Sequence, residues 1–269
     1  MGKLSGNVVV VTGAGSGIGR ELAVELSKRD CKLALSDINF ENLQETQSLL
    51  PNQSGDVKLD KLDVSDKEAF RSYVDDVIAH FGHVDRVINN AGRSHADGFL
   101  DGSEADFELI MNTNFWSAYH GTKFFLPHLL ERPEATIVNV SSINALVPFA
   151  NQSSYNVSKA AIMSLTESLG MELKGTTVKS MVVIPGGVRT NIVRNSKFVK
   201  GAKEGMNQEE SAKYFEKIAI TSAPRAAKRI VRGIMKNKSR LRVGPDAYLL
   251  DYLFRISPGF IKRLVLLLA

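Results

Sequence analysis

Apolar and polar positions along this chain follow two alternating periods. Short runs rich in β-branched residues, the plainest being Val8-Val9-Val10-Val11, recur between longer stretches whose apolar residues return every three or four positions. Runs that are short and apolar throughout fit strands covered on both faces, whereas the longer stretches fit amphipathic helices. The pattern predicts strands near residues 8–12, 32–36, 57–61, 86–89, 136–140, 179–184 and 240–243. It predicts helices near 18–29, 40–50, 66–80, 104–130, 153–173 and 224–236. Strands alternating with helices give an α/β fold: a doubly wound parallel sheet of about seven strands, with helices on both faces in three α/β/α layers. The strand C-termini and the loops that follow them then line one crevice. The pattern predicts a single domain over residues 1–245, followed by a hydrophobic C-terminal extension at 246–269.

Candidate chemistry falls on those loops. The first strand runs into Thr12-Gly13-Ala14-Gly15-Ser16-Gly17-Ile18-Gly19, and a helical pattern follows from Arg20. Strand, glycine-rich turn and helix is the context of a Rossmann-type dinucleotide site. Small residues let the backbone approach a pyrophosphate, and the helix N-terminus offers it unpaired N–H groups and a positive dipole end. The spacing is T-G-x-x-x-G-x-G, and a tight turn without ligand would use the same glycines. Further on, Tyr155 and Lys159 stand four residues apart on a predicted helix, hence on one face. A free tyrosine titrates near 10, and a cation held beside it stabilises the phenolate and draws that value toward neutrality. Tyr-x-x-x-Lys alone is a common coincidence.

Together and in this order, the two motifs resemble the short-chain dehydrogenase/reductase family over about residues 5–245. Asn89-Asn90-Ala91-Gly92, Asn114, the strand ending in Ser141-Ser142, and Pro185-Gly186-Gly187-Val188-Arg189-Thr190 fall at family-like positions. The resemblance implies an enzyme acting on CH–OH donors, an oxidoreductase that interconverts a secondary alcohol and a ketone by hydride transfer. Tyr155 is the implied acid/base, Ser142 holds the substrate oxygen, Lys159 tunes the phenol and binds the nicotinamide ribose, and Asn114 holds a water of the proton relay. Ser141 is the structural neighbour of Ser142. The cofactor is expected against Gly13, Gly15, Ser16, Gly17, Ile18, Gly19, Asp37, Asp63, Val64, Asn90, Ala91, Gly92, Tyr155, Lys159, Pro185, Gly186, Val188 and Thr190. Asp63 and Val64 would flank the adenine, Asn90 the adenosine ribose, and Val188 the nicotinamide carboxamide. The stretch near 189–223 would be a lid over the substrate.

Asp37, at the end of the second strand, favours NAD over NADP: a carboxylate accepts from ribose hydroxyls and repels a 2′-phosphate. It could also cap the helix that follows. Users of NADP in this family usually carry Arg or Lys at the place of Ser16 or just after the strand, where this chain has Ile38 and Asn39. Asn144, Gln152, Ser142 and Tyr155 are the expected substrate contacts, within a mostly apolar stretch at 143–149 that suits a hydrocarbon body. Glycine is common in the family near Asn144–Ala145, and its absence narrows the cleft. His95, close after Asn-Ala-Gly, could touch substrate but reads first as a solvated loop histidine. An NADP-dependent carbonyl reductase is the alternative enzyme. A catalytically silent NAD-binding regulator is the alternative outside enzymes, though such chains usually lose Tyr or Lys first.

Composition changes the picture in few places. With one cysteine, Cys31, no internal disulfide can form, which suits a reducing compartment and a cytoplasmic location. There are too few Cys, and no His cluster at ligand spacing, so no metal site is expected. No stretch approaches the roughly 20 apolar residues that span a bilayer, and no apolar leader opens the chain. Residues 189–242 hold fifteen Lys or Arg against four Asp or Glu, a basic face without the aromatic interleaving of a nucleic-acid site. Peripheral membrane contact through the greasy segment 257–269 stands beside packing on protein as its reading. The resemblance also implies a homodimer or homotetramer through helices 104–130 and 153–173, which carry Phe115, Trp116, Phe124, Phe125, Leu165 and Leu169.

Overall fold

The structure is a computed structural model that describes residues 4–52, 56–190, 192, 197–198 and 207–268. Its sheet has seven strands: β1 (Val8–Thr12), β2 (Lys32–Asp37), β3 (Val57–Lys61), β4 (Arg86–Asn89), β5 (Ala135–Val140), β6 (Val178–Pro185) and β7 (Arg240–Val243). Every pairing is parallel, and the spatial order is β7-β6-β5-β4-β1-β2-β3. The chain starts at the centre, winds outward to β3, then returns to β4 and winds the other way. The direction reverses between β1 and β4, and a crevice opens there beyond the strand C-termini.

The valine run explains itself in this frame. Val9 and Val11 enter the core on one face of the sheet, Val8 and Val10 the core on the other. A strand covered on both faces gains from an apolar residue at every position, so no alternation appears. On the first face lie α1 (Gly17–Ser27) and α8 (Ala223–Met235), which contribute Leu22, Leu26, Ile230 and Ile234. On the second lie α3 (Lys67–Phe81), α5 (Ser117–Leu130) and α6 (Ser153–Glu172), with Phe70, Val77, Phe125, Leu129 and Leu169. The remaining helices are α2 (Phe40–Ser48), α4 (Glu104–Ile110), α7 (Gln208–Ile218), α9 (Pro245–Ile256) and α10 (Pro258–Leu268).

The helix expected over 104–130 is not continuous. A π-helical turn at Met111–Trp116 separates α4 from α5. The period of 3.6 hides such an extra residue, because apolar positions on either side keep their own phase. Phe125 and Leu169, expected at a subunit contact, lie in the core instead, while Trp116 is exposed. In the C-terminal segment, Ile261 and Val265 are buried against Val147, with Leu146, Phe149, Leu250 and Phe254 around them. Leu249, Tyr252, Ile256, Phe260 and Leu266 face outward. Among the described residues no helix is long and apolar enough to cross a membrane. Part of the segment near 189–223, expected as a lid, lies outside the described residues.

Candidate active site

The glycine turn is built so that nothing larger fits. A Cβ on Gly19 would collide with the Gly13 carbonyl, and one on Gly13 would lie 2.8 Å from Ala91 Cα. Gly13 also has a φ of 66°, which favours glycine. Asn90 fastens this turn: its Nδ2 donates to the carbonyls of Thr12 (3.0 Å) and Gly13 (3.2 Å). The backbone N–H groups of Asn90 and Ala91 donate to Thr12 Oγ1. Expected against the adenosine ribose, Asn90 thus spends its amide on holding the turn. Ser16 occupies the N-cap of α1 in extended geometry but makes no capping hydrogen bond, and the first turn holds no acidic residue. By contrast α2, α3, α4 and α7 are capped by Asn39, Asp66, Ser103 and Asn207. The α1 terminus therefore presents free N–H groups, the arrangement that receives an anion. Ile18 packs inward on the core, and Thr190 stands over Gly17, where a Cβ would meet its Cγ2 at 3.2 Å.

Asp37 lies at the mouth of this turn. Its Oδ2 accepts from Gly15 N–H at 2.9 Å and its Oδ1 from Asn39 N–H at 3.0 Å. The cap of α2 is Asn39, so Asp37 does not serve as one. Arg20, the basic residue nearest the glycines, has its guanidinium engaged by Glu45 (2.8 and 2.7 Å) and the Gly15 carbonyl (2.6 Å). Asp63 folds back on Ser65, accepting from its N–H and hydroxyl, and Val64 is buried in the core under α3. The Asp63 side chain is therefore turned into its own loop.

From the glycine turn, contacts run on to the second motif. A Cβ on Gly92 would lie 3.0 Å from Asn114 Oδ1 and 3.2 Å from Lys159 Nζ. Asn114, in the π-helical turn, is wholly buried: Oδ1 accepts from Arg93 N–H at 2.8 Å, and Nδ2 donates to Arg93 O and Ser158 Oγ. Lys159 Nζ donates to Val140 O at 3.0 Å and stands 5.6 Å from the centroid of the Tyr155 ring. Burial pushes its ammonium down to about 8. Burial pushes the Tyr155 phenol up, while a hydrogen bond with Ser142 pulls it back. This corrects the simple expectation: the ammonium stands over the ring, and the group that lowers the phenol is the serine. Ser141 donates to Lys159 O at 2.7 Å, a structural bond.

The substrate-side amides are tied to one another. Asn144 Nδ2 donates to Gln152 Oε1 (2.7 Å) and Asn156 Oδ1 (2.9 Å), and its Oδ1 accepts from Ser142 Oγ (3.2 Å). Gln152 and Asn144 thus orient Ser142 from behind. Pro185 ends β6, and Gly186 N–H donates to Val243 O at 2.9 Å. A Cβ on Gly186 would collide with the Asp246 carboxylate, which accepts from Gly187 N–H. Val188 is buried, and Val188–Arg189 pairs with Thr221–Ser222. His95 is buried as well, clamped to Ser154, and so is not the solvated histidine its loop suggested. It lines a cavity of about 360 Å³ with Asp97, Phe99, Phe107, Ser153 and Ser154, just before Tyr155.

The short chain dehydrogenase family profile matches residues 7–199. The chain belongs to the short-chain dehydrogenase/reductase family of oxidoreductases. It is 41% identical over 269 residues to SadH of Mycobacterium tuberculosis, whose designation as an oxidoreductase is provisional, covering 98% of this chain and 96% of that one. It is 34% identical to an 11-beta-hydroxysteroid dehydrogenase-like protein of Arabidopsis thaliana, covering 93% of this chain and 82% of that one. Among solved structures, a short chain dehydrogenase/reductase from Burkholderia phymatum in complex with NAD superposes with a TM-score of 0.86 at 26% identity, covering 97% and 96% of the two chains.

Proposed function

We propose that this protein is an NAD-dependent oxidoreductase that interconverts a secondary alcohol and a ketone, with Tyr155 as the acid/base. The observation that carries the reading is one unbroken line of contacts: Asp37 to Gly15, the glycine turn to Asn90, Gly92 to Lys159, and Tyr155 to Ser142. The line runs along the C-terminal edge of the sheet, across the switch point.

The residues fit a dinucleotide. The uncapped N-terminus of α1 receives the pyrophosphate, and the glycine turn admits it because no Cβ intrudes. Asp37 accepts from the adenosine ribose hydroxyls and disfavours a 2′-phosphate, and Arg20 is already held by Glu45. Lys159, beside Gly92, is available to the nicotinamide ribose, and Val188 and Thr190 close the far side. The bound nicotinamide supplies or accepts the hydride. Ser142, whose hydroxyl proton rests on Asn144 Oδ1, turns that proton to the substrate oxygen and holds it. A phenol pushed up by burial rests protonated, so Tyr155 Oη is set to donate a proton to a ketone oxygen. It takes one back from an alcohol when the hydrogen bond with Ser142 offsets the phenolate. The Arabidopsis relative's name puts hydroxysteroids first in a test panel.

Tyr155→Phe keeps the ring and deletes the proton. Turnover of nicotinamide absorbance with a panel of secondary alcohols should fall by at least about 10³-fold, while NAD binding measured calorimetrically stays within a few-fold. A variant that turned over freely would overturn the assignment of Tyr155. Subunit association through the exposed Trp116 face is part of the same reading. Light scattering should give a dimer or tetramer that Trp116→Glu weakens, and a monomeric parent would refute it.

A further inference from the structure

Beside the start of α6 the chain buries a second set of titratable side chains, unused by the chemistry above. His95 and Asp97 come from the loop after β4 and Asp106 from α4, and they are 4%, 7% and 9% exposed. One ring nitrogen of His95 and one carboxylate oxygen of each acid all lie within 4.8 Å of one another.

Two of the three side chains keep a buried polar atom without a partner among the described residues. His95 Nδ1 meets Ser154 Oγ at 3.1 Å, and Nε2 is buried with no partner among the described residues. Asp97 is fixed by its backbone, with its N–H donating to Asn151 O at 2.8 Å and a bridge to Gln152. Its Oδ1 is buried with no partner among the described residues. Asp106 Oδ2 accepts from Ser103 Oγ at 2.7 Å. A buried acceptor without a donor is costly, because it gives up its bond to water and gains none in return. A single cation would answer both unpartnered atoms, the His95 nitrogen and the Asp97 oxygen, with Asp106 as its third ligand.

We propose that His95, Asp97 and Asp106 form a divalent-cation site of the borderline transition-metal class, for which Zn²⁺ is the probe. One imidazole and two carboxylates make a donor set such ions accept, and three protein ligands leave a fourth position open toward the adjoining cavity. An oxygen on the far ring nitrogen, here Ser154 Oγ, is what usually orients a ligating histidine. Ligand atoms on tetrahedral Zn²⁺ stand about 3.3 Å apart, given bond lengths of about 2.0–2.1 Å. From separations of 4.8 Å or less, the side chains therefore close by at most about 1.5 Å. The ion would tie His95 and Asp97 to Asp106 of α4, and its binding is independent of any nicotinamide chemistry.

The test is calorimetric titration of Zn²⁺ into the full chain after chelator treatment and dialysis, with His95→Gln, Asp97→Asn and the control His80→Gln. His80 lies in an exposed pair with Asp56. We expect one site with a dissociation constant of about 10 μM or tighter. His95→Gln and Asp97→Asn should each weaken it at least about tenfold, and His80→Gln should leave it unchanged. Zn²⁺ should raise the melting temperature of the parent chain but not that of Asp97→Asn. Should either variant fail to fold, Co²⁺ bound to the parent chain is read directly: a visible band typical of low-coordinate nitrogen–oxygen ligation supports the site, and its absence overturns it. Zn²⁺ binding that survives both substitutions is a surface ion and overturns it too. So does a stabilising Asp97→Asn in a chain that binds no Zn²⁺.

Discussion

Replacing Lys159 by methionine exchanges a buried ammonium for an apolar chain of similar length. In the native protein this ammonium is 4% exposed, and burial lowers it from 10.5 to about 8. The drop from 10.5 to about 8, at about 1.36 kcal/mol per tenfold change in proton affinity, makes burial of the charged form cost on the order of 3 kcal/mol below pH 8. Methionine removes that cost but also the bond to Val140 O, which offsets about 1–2 kcal/mol. The variant should therefore lose turnover while gaining about 1–2 kcal/mol of stability near pH 7. A residue kept against stability in this way is one that the chemistry requires.

The pH dependence separates the two contributions. Between about 8 and 10.5 the unfolded chain still binds the lysine proton and the folded chain has released it. More protons on the unfolded state mean that stability rises with pH through this window. Lys159→Met has no such titration, and every other group cancels in the difference between the two proteins. Its advantage should be full below pH 8 and shrink by about 2 kcal/mol between about pH 7 and pH 9.5. Urea denaturation of both proteins, without cofactor, at those two values measures this. A gap that stays constant would show that the native ammonium bears no burial cost, and the reasoning would fail.

Two further perturbations test other parts of the site. Asp37→Ser combined with Ile38→Arg removes the carboxylate at Gly15 and puts a cation beside it. At an effective dielectric constant of about 20, unit charges about 4 Å apart interact by about 4 kcal/mol. The ratio of kcat/KM for NADP⁺ over NAD⁺ should thus rise at least about 100-fold, and a ratio that does not move refutes the role given to Asp37. Ending the chain at Ile256 removes Ile261 and Val265 from Val147, so about 4 kcal/mol of apolar burial is lost and KM for substrate rises as the 146–149 loop loosens. If the outward Phe260 and Leu266 touch a bilayer, liposome co-sedimentation also falls in this variant, and unchanged partitioning sinks that contact.

How much of this was legible in the sequence follows from how far apart the deciding groups lie. The valine run, the glycine turn and Asp37 are local: a few residues settle their backbone, and each sits where the period placed it. Tyr155 and Lys159 were readable because one helix turn holds them together. The extra residue at Met111–Trp116 was not, since apolar spacing on either side stays regular while the turn itself widens around Asn114. The direction of the Tyr155 shift was hidden for a different reason: the spacing brings an ammonium near, but only packing decides whether it faces the hydroxyl or the ring. His95, Asp97 and Asp106 were hidden most thoroughly. In sequence they are a polar loop and a helix start, the composition of a solvated surface. They become a buried cluster only because Asp97 pairs beside Gln152 and His95 meets Ser154, contacts that span more than fifty residues. Long-range backbone pairing, not residue type, made that loop an interior.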